Sequence, residues 1–250
     1  MSLLVVEDLR LQYGSRLVQQ DVSFEIEAGT IFGILGGSGC GKSTVLKSLV
    51  GLLAPSAGRV RFEGEDYWHA SDTARDAMRS HMGMLFQSSA LWSSMTVLEN
   101  VMLPMSHLMK WPADECEARA MEVLGWVDMA EARNRLPADL SGGMKKRVGL
   151  ARAIATQPRI LYLDEPSAGL DPINAVRLDE LILSIRERTQ AAIVIVTHEL
   201  PSIYGIVDDA IFLDAATKRP IARGKPATLR DEVMHPTVQA FMHRKEVETT

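Results

Sequence analysis

"IFGILGGSGCGKSTVLKSLVGL", Ile31 to Leu52, sets an apolar run against a glycine-rich loop and then a helix-like segment. Within it, Gly36 to Ser43 matches the spacing G-x-x-x-x-G-K-[ST]. Glycines let consecutive backbone N–H groups curl around an anion, and the N-terminus of a following helix adds partial positive charge. The spacing predicts a strand entering the loop and a helix over 42–52 leaving it. Between them Gly36, Gly37, Ser38, Gly39, Cys40 and Gly41 would form a cradle for nucleotide phosphates. Lys42 is placed to reach the β- and γ-phosphates, the Ser43 hydroxyl to bind Mg²⁺, and Thr44 to extend the polar lining. Cys40 is read as a small filler, although a thiol there could make the site sensitive to alkylation.

A second stretch supplies carboxylates. In "RILYLDEPSAGLD", Arg159 to Asp171, four apolar residues suit a buried strand that delivers Asp164 and Glu165 at its carboxyl end. Ligand sites in open α/β sheets lie at that end. Asp164 is the candidate Mg²⁺ ligand, directly or through water, and Glu165 the candidate to orient or deprotonate an attacking water. Alone, such a pair is commonly a solvated strand end; the phosphate loop upstream gives it a use. "AIVIVTHEL", Ala192 to Leu200, repeats the pattern and ends in Thr197 and His198. That histidine could reach a γ-phosphate or simply cap the next helix. Gln87 closes "GMLFQ", read as a strand, and could meet Mg²⁺ or the water. Tyr13 in "LRLQYGSR" could offer a ring face to a purine, though a single tyrosine is more often packed or half-exposed.

A chain of 250 residues can bury one substantial core or one domain with an inserted lobe. The net charge of −5 argues against nucleic acid, whose binders carry a basic field. Two cysteines, Cys40 and Cys116, make no disulfide framework and suggest a reducing compartment. "MSLLVVEDLR" lacks a basic leader, so no secretory signal is expected, and the longest apolar runs fall short of a membrane span. Short β-branched runs at Leu3, Ile31, Gly83, Ile160, Ala192 and Ala210 alternate with helix-like segments over 42–52, 141–156 and 175–189. That rhythm predicts an α/β fold with a mostly parallel sheet. Residues 3–27 and 59–63 read as short alternating strands of an antiparallel edge, and 88–157 as a helical insertion. Residues 1–87 and 158–230 would then form the core, and 231–250 a short helix opened near Pro236 with a frayed tail.

"LSGGMKKRVGLARAIA", Leu140 to Ala155, exposes two glycines at a helix start and follows them with three basic residues. Cations in a first turn oppose the helix dipole by a few tenths of a kcal/mol each. A bound polyanion could offset that; equally, Lys145 and Lys146 could be solvated or paired with acids.

The order Tyr13, phosphate loop, Gln87, "LSGG", "ILYLDEP", "SAGLD", His198 resembles the nucleotide-binding subunit of ABC transporters across essentially the whole chain. The resemblance implies an ABC-type P-loop core with an antiparallel β subdomain and an inserted helical subdomain. It implies an ATPase using ATP and Mg²⁺, with ATP held between two such domains head to tail. The phosphate loop, Asp164, Glu165 and His198 would come from one protomer, and Ser141, Gly142, Gly143 and Met144 of the signature from the other. Asp171 would sit at the dimer interface.

"MLFQSSALWSSMTVLENV", "LSGGMKKRVGLARAI" and "HPTVQAFM" look like the ATPases serving MCE-domain lipid transporters, the Mla lipid-asymmetry system among them. A methionine after "LSGG", here Met144, is characteristic of that group. The match implies a cytoplasmic ATPase, peripheral on a bacterial inner membrane, under a permease dimer and an MCE-domain protein, with phospholipid as the indirect substrate. Some relatives clasp the neighbouring subunit with a longer tail, and the short sequence after Phe241 departs from that pattern. Met84, Met95, Met102, Met105 and Met109, with Trp92 and Trp111, read either as core or as a groove for the permease. The alternatives are an ABC ATPase for another substrate, such as amino acids, or a nucleotide-binding subunit without turnover. Lys42, Asp164, Glu165 and His198 together disfavour the latter.

Overall fold

The computed structural model describes residues 2–244. The chain begins with strands Leu4–Tyr13 (β1), Arg16–Ile26 (β2) and Ile31–Gly36 (β3), then helix Lys42–Leu49 (α1). Strands Ala57–Phe62 (β4) and Glu65–Asp66 (β5), helix Asp72–Ser80 (α2) and strand Met82–Leu85 (β6) follow. Three helices come next, Val97–His107 (α3), Ala113–Trp126 (α4) and Gly142–Ile154 (α5), with short 3₁₀ turns at Ala130–Ala132 and Pro137–Asp139. The last part alternates: Ile160–Asp164 (β7), Pro172–Thr189 (α6), Ala192–Val196 (β8), Leu200–Ile206 (α7), Asp209–Leu213 (β9) and Pro220–Gly224 (β10). Helices Pro226–Asp231 (α8) and Pro236–Met242 (α9) close it, and the expected tail over 245–250 lies outside the described residues.

Two sheets result. The larger has the order β10-β9-β3-β8-β7-β6, parallel except for β10 against β9. The smaller, β2-β1-β4-β5, is antiparallel. Every residue of β3 and β8 is buried, as expected for strands covered on both faces. Side-chain alternation then divides each strand between two cores. Phe32, Ile34, Tyr162 and Val194 face β1, β2 and β4, and Phe32 stacks on Phe24 at 4.7 Å between ring centroids. Ile31, Leu35, Leu161, Leu163, Ile193 and Ile195 face the helices. Leucine and valine from α3, α4 and α5 extend that second core, so the helical segment between β6 and β7 is packed onto the sheet. Thr96 starts α3 with a capping box: its Oγ1 accepts from Glu99 N at 3.2 Å, and its own N donates to Glu99 Oε2 at 2.7 Å.

Several expectations need adjustment. β1 and β2 are long, not short, because buried Leu4, Val6, Leu9 and Leu11 keep one face of the ribbon apolar throughout. α1 stops at Leu49, and the strand in "GMLFQ" stops at Leu85, two residues before Gln87. β10, α2 and α8 carry no apolar run; α2 buries only Met78 and is held at its start by the Ser71 cap, whose Oγ accepts from Ala74 N at 3.2 Å.

Candidate functional site

β3 points its carboxyl end at the glycine loop, and Gly36 has φ 141, outside the range of ordinary side chains. A Cβ there would lie 2.3 Å from the carbonyl oxygen of Leu213 and 2.7 Å from Cys40 Sγ. Gly41 caps α1 in a left-handed conformation with no side-chain acceptor, so the first-turn N–H groups that no helix can satisfy remain available to an anion. Lys42 Nζ folds over the loop, donating to the carbonyls of Gly36 at 2.9 Å and Gly37 at 3.0 Å. Support from beneath comes from a residue the sequence did not single out. Gln19 of β2 is buried, and its Nε2 donates to Cys40 O at 2.7 Å and Asp214 O at 2.9 Å. Cys40 is 1% exposed, so its thiol is packed away and the expected alkylation sensitivity is not supported. Burial pushes the thiol pKa up, with the nearby Lys42 charge opposing.

β7 delivers Asp164 beside the loop, where its Oδ1 accepts from Ser43 Oγ at 3.3 Å. Burial raises the Asp164 pKa, and that hydrogen bond opposes the rise. A hydroxyl and a carboxylate side by side are hard oxygen donors. They fit Mg²⁺, which is commonly held by one or two protein groups together with phosphate oxygens and water. Among the described residues, no group of three or more His, Cys, Asp or Glu side chains forms a dedicated metal cage.

The next residue, Glu165, turns with φ 49, and its N donates to Val196 O at 2.8 Å. His198 Nδ1 lies 3.0 Å from Glu165 Oε1 with hydrogen-bond geometry, and 2.8 Å from Oε2 without it. Oε2 is buried and has no hydrogen-bond partner. The turn after β8 is set by Thr197, whose Oγ1 accepts from Glu199 N at 3.1 Å. His198 Nε2 lies 3.5 Å from Glu199 Oε1, and Glu199 Oε2 accepts from Arg244 Nη2 at 3.4 Å.

These groups line one open cleft of about 910 Å³. Gly36, Gly37, Ser38, Gly39, Gly41, Lys42, Ser43, Thr44, Gln87, Glu165 and His198 meet there, with Tyr13, 48% exposed, at the far end. Asp164 and Cys40 are not among the lining residues, whereas Arg16, Val18, Thr237, Phe241 and Arg244 are. The last three stand on or just after α9, which Tyr204 pins by donating to Met242 O at 2.7 Å. Nothing in the local pattern of "HPTVQAFM" marks it as cleft wall.

The signature residues do not join the cleft. Ser141 caps α5, its Oγ accepting from Met144 N at 3.3 Å, and Gly142 is exposed. Met144 packs against the helix-side core. Asp171 caps α6: Oδ1 accepts from Asn174 N at 3.0 Å and Oδ2 from Asn174 Nδ2 at 2.5 Å, bonds that lower its pKa. The solvated reading fails for Lys146, which is buried, and Arg147 pairs with Asp128 at 3.2 Å. Of the five methionines grouped by sequence, Met105 is buried in the core and Met102 packs on it. Of the five, Met84 alone lines the apolar groove of about 400 Å³ beside this region, with Met82, Phe86, Trp92, Leu103 and Leu108.

Comparison with known proteins places the chain in a family. Residues 19–168 match the family described as "ABC transporter". The methionine import ATP-binding protein MetN of Caulobacter vibrioides is 37% identical over 92% of this chain and 68% of its own length. The probable ribonucleotide transport ATP-binding protein mkl of Mycobacterium leprae is 39% identical over 78% of this chain and 56% of its own. The structure of cbiO1 from Clostridium perfringens, part of the ABC transporter complex cbiONQ, superposes with a TM-score of 0.83 at 29% identity, covering 91% of this chain and 90% of that one. The chain belongs to the ABC transporter family, as an ATP-binding subunit with ATPase activity that uses ATP and Mg²⁺.

Proposed function

We propose that this ABC transporter ATPase works as two identical chains stacked head to tail, each cleft closed by the partner's α5 N-terminus. The observation that carries the reading is the placement of Ser141, Gly142 and Gly143. They stand exposed or half-exposed outside the chain's own cleft, and a Cβ on Gly142 would meet nothing within 4 Å. A helix start with bare backbone, one capping hydroxyl and no acidic residue in its first turn is suited to an anion. In the pair, these groups grip the γ-phosphate of the partner's nucleotide, Met144 adds no polar contact, and Asp171 faces the interface.

Within the chain's own cleft, Tyr13 stacks on the purine while the glycine loop and Lys42 hold the phosphates. Ser43, Asp164 and Gln87 hold Mg²⁺, which when bound neutralises charge on the phosphate oxygens. Glu165, which lines the cleft at the carboxyl end of β7, takes the proton of the attacking water. His198, oriented through Nδ1 by that same carboxylate, presents Nε2 to the γ-phosphate.

We infer further that the ATPase sits on the cytoplasmic face of a bacterial inner membrane and drives phospholipid through a permease dimer and an MCE-domain assembly. Support comes from Met144 and the stretches around Gln87 and Phe241. The apolar groove beside Gln87 gives a permease helix a seat. Among the described residues, no helix is long and apolar enough to cross a membrane. The names of relatives at 37% and 36% identity favour a second reading, an importer of methionine. Purification with the membrane partner separates them. Phospholipid in the purified complex and lipid-stimulated ATP hydrolysis are expected; hydrolysis stimulated by methionine, with neither lipid nor an MCE protein present, would establish the second reading.

A further inference from the structure

Lys146 is 5% exposed, an unusual place for an ammonium. It lies in the second turn of α5, five residues beyond Ser141. Its Nζ donates to Gln87 O at 2.6 Å and to Glu165 O at 2.9 Å. These acceptors belong to two different loops, one following β6 and one following β7. Burial lowers the Lys146 pKa, and the Glu165 and Asp164 carboxylates oppose that. An apolar side chain of the same length would avoid the desolvation, so packing alone does not account for a lysine here.

The same helix grips the loop after Gln87 twice more. Arg152 Nη2 donates to Ser89 O at 2.7 Å and Nη1 to Ala90 O at 2.8 Å. The missing side chain of Gly149 lets Ser89 approach, where a Cβ would lie 3.3 Å from Ser89 Cβ. Ser89, Ala90 and Glu165 all have positive φ, at 62, 45 and 49. Such backbone persists only where its surroundings hold it, and here the holder on both sides is α5.

We propose that Lys146 is a positioning residue that couples the two ATP sites of the pair. The N-terminus of α5 engages the partner's nucleotide, and Lys146 ties the same helix to the backbone carrying this chain's own Gln87 and Glu165. At 1.5 Å rise per residue the two attachment points are only about 8 Å apart along one rigid element. A shift of α5 on closing over one nucleotide therefore moves the water-orienting groups at the other. The inference rests on the head-to-tail reading of Ser141 to Gly143.

The test uses the full chain in complex with its membrane partner. Lys146→Met removes both donors at similar length, and Lys146→Arg restores them. For Lys146→Met, nucleotide affinity and KM should change less than about twofold while kcat falls on the order of tenfold and the Hill coefficient drops toward 1. Lys146→Arg should recover cooperativity. A wild-type Hill coefficient in Lys146→Met, or a fall in kcat with cooperativity intact, overturns the coupling. If Lys146→Met does not fold, Lys146→Gln is read against the same criteria. Ser141→Arg tests the premise separately. If it leaves ATP-dependent pairing and turnover intact, the head-to-tail reading falls and the coupling with it. If it abolishes both while Lys146→Met behaves as wild type, only the coupling is lost.

Discussion

His198 Nδ1 and Glu165 Oε1 are 3.0 Å apart, joining the carboxyl ends of two adjacent parallel strands, β7 and β8. The pair leaves Glu165 Oε2 buried without a hydrogen bond and His198 half in solvent, in the wall of the cleft. Glu165→Gln keeps the shape and removes the proton acceptor. The expected outcome is kcat lower by about 10²–10⁴-fold with nucleotide affinity retained. Steady-state phosphate release and equilibrium nucleotide binding, measured on the same preparation, check it. Unchanged turnover would remove Glu165 from the chemistry.

Gln19 tests the floor of the loop. Gln19→Leu leaves the Cys40 and Asp214 carbonyls without their buried donor, a cost of about 1–3 kcal/mol. Gln19 Oε1 is itself buried and unpartnered, so its removal offsets part of that loss and the net effect belongs at the low end. Thermal melting should fall by roughly 2–4 °C, the shift for about 1 kcal/mol in a chain of this size. ATP affinity should weaken more than the melting shift alone would suggest, since the Cys40 carbonyl belongs to the loop.

Two glycines of the same loop should respond differently to alanine. At Gly39, φ 72 with open space around the Cβ, the penalty is the left-handed backbone alone, about 1–2 kcal/mol. Gly36→Ala adds a clash with Leu213 O at 2.3 Å, so it should cost clearly more and disturb the strand entering the loop. Chemical denaturation of both variants ranks them; equal losses would contradict the packing described at Gly36.

Cys40 and Cys116 are both buried, and burial raises both thiol pKa values. Alkylation of the native protein at neutral pH should be slow at both and become fast on denaturation. The sign of the stability effect follows. The unfolded thiol, with its ordinary pKa near 8.5, loses its proton first, so the unfolded state binds fewer protons as pH rises. Stability carried by the thiols is therefore full below about pH 8.5 and is lost as pH climbs through the raised values. Denaturation midpoints measured from pH 7 to 10 should decline, and serine at both positions should flatten the decline.

The groups proposed to bind phosphate were readable because that chemistry needs them contiguous. A glycine loop on a helix start and an Asp-Glu pair ending a strand are local patterns; the loop and Glu165 line the cleft, and Asp164 meets the loop through Ser43. Lys146 was not readable, because "MKKR" looks like a solvated turn until the loops after β6 and β7 are seen to converge on it. Gln19 and Arg244 lie at the two ends of the chain, and only the fold brings them to the site. The methionine grouping misled for a related reason: the period of α3 sends Met105 into the core, while Met82 and Met84 of β6 and Phe86 just after it line the groove. Short polar elements such as α2 form through caps, which leave little trace in hydropathy.

In the proposed pair, two copies of this chain close over ATP with Ser141 to Gly143 supplied in trans. The direct measurement is the mass of the Glu165→Gln chain by light scattering, with and without ATP. We expect the 27.5 kDa chain to double its mass on adding ATP, and Ser141→Arg in the same background to prevent the doubling. A chain that binds ATP tightly and stays at 27.5 kDa, or one that pairs equally well with Ser141→Arg, would contradict the account.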